Sequence, residues 1–141
     1  MRPGMRVLDV GCGLGALVRE ALRLQPAVRL IGLDPDQDML RHARSQVDGV
    51  RWAAALAQAL PFSDNTLHHI TTTLMLHHLT RDQKQRALAE AVRVLRPGGR
   101  LFVTDWTAPK KAPRRRASGS CGSRMELSKP PIMHTGDFKT C

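Results

Sequence analysis

The segment Val7-Leu8-Asp9-Val10-Gly11-Cys12-Gly13-Leu14-Gly15 restricts what this chain can become more than any other stretch. Val7, Leu8 and Val10 form the apolar, partly β-branched run of a parallel strand covered on both faces. Gly11, Gly13 and Gly15 then let the backbone turn sharply and bring its amide groups close to a ligand. From Ala16 to Leu24 the spacing is helical, with Leu17, Ala21 and Leu24 on one side and Arg19, Glu20 and Arg23 left for solvent. Strand, glycine loop and helix in that order make a cradle for a nucleotide-like cofactor.

Two cofactors compete for it. Gly11-x-Gly13-x-x-Ala16 satisfies the loose dinucleotide fingerprint, whose third small residue can be Ala. Asp9 argues the other way, because a carboxylate two residues ahead of the first glycine repels a pyrophosphate. The same carboxylate attracts the sulfonium and ammonium of S-adenosylmethionine. Asp9-x-Gly11-x-Gly13-x-Gly15 resembles motif I of the class I S-adenosylmethionine-dependent methyltransferases.

The next segments extend that resemblance. Val28 to Leu33 reads as a second strand finishing at Asp34, 21 residues beyond Gly13, where this architecture places an acid on ribose hydroxyls. The resemblance implies that Asp34, followed by Pro35, holds both hydroxyls of the adenosyl ribose, and two acceptor oxygens suit a vicinal diol. Asp34-Pro35-Asp36 can equally cap the helix that follows, expected over Asp36 to Gln46 with Met39, Leu40 and Ala43 inward. Val50 to Ala54 fits a third strand, and Ala57-Gln58-Ala59-Leu60-Pro61-Phe62 resembles the family stretch that addresses adenine. Leu56 stands where the family usually has an Asp, so the backbone amide of Ala57 is left for the ring. Losing that hydrogen bond weakens adenine binding by on the order of 1 kcal/mol.

Leu67 to Leu76 is strand-like, which puts Thr73 and Leu74 at a carboxyl end, where open parallel sheets bind ligands. His77-His78 invites a general-base or metal role, with packing or hydrogen bonding as the expected one. Thr80-x-x-Gln83 is a capping box for a helix over Asp82 to Leu95. Ala87, Leu88, Ala91, Val92 and Leu95 form its apolar stripe. Pro97 then stops the helix, Gly98-Gly99 reverses the chain, and Leu101-Phe102-Val103 re-enters the sheet, again as in the family.

With 141 residues the chain suits one domain, and no apolar run approaches the ~20 residues of a membrane span. Cys12, Cys121 and Cys141 are an odd number at wide spacing, which points to free thiols in a reducing, cytoplasmic setting and to no zinc site. Residues 1–106 carry 14 Lys and Arg against 10 Asp and Glu, whereas residues 107–141 carry 8 against 2. The division expected is therefore a methyltransferase core over 1–106 and a basic, disordered tail over 107–141. A basic tail suits nucleic acid, but with no Tyr, two Trp and three Phe the stacking platforms for single strands are scarce.

The fold expected is an α/β Rossmann-like sheet of about five parallel strands, order 3-2-1-4-5, with helices on both faces. The resemblance reaches Trp106 and finds neither the lid helices nor strands six and seven, leaving strand five as a bare edge of a truncated domain. The function expected is transfer of the sulfonium methyl group to a small, quinone- or natural-product-like acceptor, by alignment and desolvation. The cofactor-binding residues expected are Asp9, Gly11, Gly13, Gly15, Asp34, Pro35, Leu56, Ala57, Thr73 and Leu74, with no metal and no catalytic residue named. A nicotinamide-dependent oxidoreductase and a cofactor-binding module without turnover are the alternatives.

Overall fold

The strand that begins the pattern, β1 (Arg6–Val10), lies at the centre of the sheet. The computed structural model describes residues 2–106 and the backbone of residues 123–128. Along the chain follow α1 (Ala16–Leu24), β2 (Arg29–Asp34), α2 (Gln37–Gln46), β3 (Arg51–Ala54) and β4 (Leu67–Thr73). A 3-10 turn at Leu76–His78, α3 (Arg81–Val94), β5 (Leu95–Asp105) and β6 (Ser123–Ser128) complete it. Strand order is β3-β2-β1-β4-β5-β6, with the first five mutually parallel.

Period-two alternation splits β1 between two cores. Leu8 and Val10, with Ile31, Leu33 and Ile70, pack under Ala87, Ala91 and Val94 of α3. Val7 faces the opposite way, with Leu30, Val18 of α1 and Leu40 of α2. Helices therefore cover both faces, which is why β1 and β2 read as continuous apolar runs.

Several helix faces differ from the sequence expectation. In α1 the inward residues are Val18, Ala21 and Leu22, while Leu17 and Leu24 are exposed, as are Met39 of α2 and Val92 of α3. A nine-residue helix with several apolar positions admits two stripes, and contact with the sheet selects one. β4 stops at Thr73, because Leu74 adopts φ 52°, outside extended backbone. The capping box forms: the Thr80 hydroxyl accepts from the Gln83 amide, and the Gln83 side chain accepts from the Thr80 amide. α3 ends at Val94, earlier than Pro97, and Arg96–Gly99 bulge out opposite His68 between two paired stretches of β5. A Cβ on Gly99 would stand 2.8 Å from the carbonyl oxygen of Arg96, so this bulge requires glycine.

The larger correction concerns the flank. The expectation that strand five is a bare edge is overturned by β6, which pairs antiparallel with β5 from Arg100↔Ser128 to Asp105↔Ser123. The covering strand lies within the segment expected to be a tail. Six residues suffice for this strand because a formed neighbour supplies the ladder. The rest of the 107–141 expectation lies outside the described residues, including Cys121 and Cys141.

Candidate cofactor site

The carboxyl ends of β1, β2 and β4 bring most of the expected residues to one rim. Register pairs Asp9 with Gly32 on one side and Thr71 on the other. Asp9 is 4% exposed, and its Oδ1 accepts a 2.8 Å hydrogen bond from the Thr71 hydroxyl. Burial pushes its pKa up to about 6, the Thr71 hydrogen bond opposes this, and the charge of Asp34 adds to it. Above that pH the site holds a buried anion with one hydrogen bond, a setting that favours a cation beside it.

The loop is built differently from a simple amide cradle. Gly11, Gly13 and Gly15 all have positive φ, as the turn demands, but their amides are engaged within the protein. Gly11 and Cys12 donate to the carbonyl of Leu33, Gly15 donates to that of Cys12, and Gly13 donates to Asp34 Oδ2 at 2.9 Å. A Cβ on Gly11 would lie 2.5 Å from Met75 Cγ, and one on Gly15 would lie 2.7 Å from the Trp52 ring. At Gly13 it would meet nothing within 4 Å, so the surface open to a ligand is at Gly13.

Asp34 accepts from Gly13 through Oδ2 and from the Asp36 amide through Oδ1, at 2.9 Å each. A carboxylate has about four lone-pair sites, so each oxygen keeps one for a hydroxyl donor. The capping expected of this segment is carried by Asp36 rather than Asp34, since the Asp36 side chain accepts from the amides of Asp38 and Met39 at the start of α2. Pro35 is exposed beside it. Leu56 is 55% exposed on the rim, while the Ala57 side chain belongs to the core. Thr73 and Leu74 are exposed at the end of β4, and the Leu74 amide donates to the carbonyl of Thr104.

Cys12 is buried in the loop, and burial, with the charges of Asp9 and Asp34, pushes its thiol up to about 12. It stays protonated and serves as a small packing residue. Among the described residues no three His, Cys, Asp or Glu side chains gather as metal ligands.

Four contributors escaped the sequence reading. Thr71 reaches Asp9 only through strand register. Arg93 and Glu90 of α3 pin the Leu56–Phe62 segment: Arg93 donates to the carbonyls of Leu60 and Phe62, and Glu90 accepts from the Leu60 amide. Asp105, at the end of β5, pairs with His77 at 2.7 Å, and its place after a strand in a ligand-facing direction was the signal available.

Sequence and structural relatives agree with this geometry. The profile of the methyltransferase domain family matches residues 7–99. The chain is 36% identical over 116 residues to the ubiquinone/menaquinone biosynthesis C-methyltransferase UbiE of Hahella chejuensis, covering 77% of this chain and 46% of that protein. The solved structure of the YcgJ protein from Bacillus subtilis superposes with a TM-score of 0.68 at 34% identity, covering 78% of this chain and 47% of that one. An S-adenosylmethionine-dependent methyltransferase from Mesorhizobium loti superposes with a TM-score of 0.66 at 26% identity, covering 74% and 48%. The chain spans about half the length of the curated relatives it matches. Since the matched stretch runs from β1 through the glycine loop, both acids and the Pro97-Gly98-Gly99 bulge, the chain belongs to the methyltransferase domain family.

Proposed function

We propose that this chain binds S-adenosyl-L-methionine at the Asp9–Gly13–Asp34 rim and transfers its methyl group to a small-molecule acceptor. The observation that carries the reading is the buried Asp9 carboxylate, 4% exposed, set beside a loop whose open face is at Gly13. Such a site rewards a cationic ligand and penalises a pyrophosphate, which speaks against the nicotinamide reading. When bound, the cofactor supplies an activated methyl on a positively charged sulfur. Asp9 holds the cationic methionyl portion and is itself held by Thr71. Asp34 takes the ribose hydroxyls with its remaining lone pairs, and the Gly13 bond to Asp34 makes loop and acid move as one unit. Pro35 flanks that acid, Leu56 and Ala57 border adenine, and Thr73 with Leu74 closes the rim. The chemistry asked of the protein is alignment of two reactants and exclusion of water.

The relatives support a quinone-like acceptor by analogy, since the Hahella protein is named as a C-methyltransferase of quinone biosynthesis. A reducing, cytoplasmic setting fits the free Cys12, and among the described residues no helix is long and apolar enough to cross a membrane. The test is calorimetry with S-adenosylhomocysteine, S-adenosylmethionine and NAD on wild type and Asp34→Ala. Binding of the first two, weakened at least tenfold by the substitution, is expected. Binding of NAD alone, or of none of the three, overturns the reading.

A further inference from the structure

At the same end of the sheet as the cofactor rim, but on the far side of β4, lies a second cluster of reactive side chains. His77 Nδ1 stands 2.7 Å from Asp105 Oδ1, and the His77 backbone amide donates to Asp105 Oδ2 at 2.9 Å. The Trp106 amide donates to Oδ1 at 2.7 Å. The Asp105 side chain is 11% exposed and that of His77 is 33% exposed, so the acid is sheltered while the ring reaches solvent. Burial works against ionisation of Asp105, but the bonds from His77 and Trp106 prevail and hold its carboxyl below the usual range. An ionised carboxylate only accepts, so Nδ1 carries the proton in this pair, and it is the neutral form of the ring that has its lone pair at Nε2.

The backbone is committed to this arrangement. Leu74, a bulky residue at φ 52°, turns the chain out of β4 and ties its amide to Thr104 on β5. Backbone held in that region is strained for a bulky side chain and persists where the surroundings over-determine it. The turn delivers His77 directly to the end of β5. Parallel strands lie ~4.8 Å apart and rise ~3.3 Å per residue, and with Asp9 level with Phe102 and Asp105 three residues beyond, the pair stands about 14 Å from Asp9 across the end of β4, room for a flat acceptor and the methyl donor.

We infer that His77 is the general base that removes a proton from the methyl acceptor through Nε2, with Asp105 as the positioning residue that fixes the tautomer and steadies the imidazolium. This rests on the methyl-transfer reading above and narrows the acceptor to one that must lose a proton, such as a ring hydroxyl or the ring carbon of a quinol. The acceptor gives its proton to Nε2 and its electron pair forms the bond to the methyl carbon. The pair of the broken sulfur–carbon bond stays on sulfur, and the imidazolium returns its proton to water.

Two measurements test it. Nitrogen-15 NMR of His77 is expected to show Nδ1 protonated in the wild type and that preference lost in Asp105→Ala, which removes the acceptor. Unchanged tautomers in the variant, or a wild-type ring protonated on Nε2, overturn the assignment. With a short-chain demethylmenaquinol as acceptor, His77→Ala is expected to lower kcat by roughly 100- to 10,000-fold. Added imidazole should restore turnover at least tenfold, and the Kd for S-adenosylhomocysteine should stay within twofold. Turnover that survives His77→Ala, is not rescued by imidazole, or is missing in a wild type that still binds S-adenosylhomocysteine refutes the base and leaves the cofactor reading intact. Loss of S-adenosylhomocysteine binding by the wild type would instead remove the reading beneath it.

Discussion

Asp9→Asn separates what the fold wants from what the cofactor wants, and the pH dependence exposes it. A carboxyl whose pKa is 3.8 when unfolded and about 6 when folded penalises the ionised native state by about 3 kcal/mol. Between those two values the folded protein binds more protons than the unfolded one, so stability falls as pH rises through that window and levels off above 6. Moving from pH 8 to pH 5 recovers on the order of 1 kcal/mol of the penalty in the wild type. The Asn variant has no such group. It keeps an oxygen for the Thr71 hydroxyl, and any cost of its amide is the same at both pH values and cancels from the comparison. Urea unfolding of both proteins at pH 5 and pH 8 is therefore expected to show the wild type gaining on the order of 1 kcal/mol on the variant at the lower pH. At pH 8 the variant should bind S-adenosylmethionine at least tenfold more weakly, and the wild type should lose affinity as pH falls below 6. Parallel stability profiles, or equal cofactor affinity, would refute the claim that Asp9 is a buried anion kept for a cation.

Three further outcomes follow from the geometry. Asp34→Ala removes an acceptor used by both Gly13 and Asp36, so calorimetry should show cofactor affinity down 10- to 100-fold, in the range of hydrogen bonds to a charged group. Gly32→Ala drives a Cβ into the Trp52 ring, and overpacking of about 1–3 kcal/mol should appear in urea unfolding, with Trp52→Leu in the same chain recovering part of it. Arg93→Ala unties the carbonyls of Leu60 and Phe62, so hydrogen exchange should accelerate across residues 60–64 and the Tm should fall, while exchange in β1 and β2 is unchanged.

The sequence by itself determined the parallel core and the cofactor end of it. Glycines at 11, 13 and 15, an acid at the end of β1, another at the end of β2 and the Thr80–Gln83 box are local signals, because backbone φ, strand periodicity and capping act within a few residues. Only the tertiary structure decided what those residues touch. Strand register joined Asp9 to Thr71, and the turn at Leu74 joined His77 to Asp105, in each case across some thirty to sixty residues with no local trace. The glycine loop looked like a row of amides for a ligand, yet its donors are spent on Leu33, Cys12 and Asp34, since a buried N–H takes the nearest acceptor the fold provides. β6 was invisible for the same reason: a six-residue strand acquires its hydrogen bonds, and hence its existence, from the β5 edge it meets.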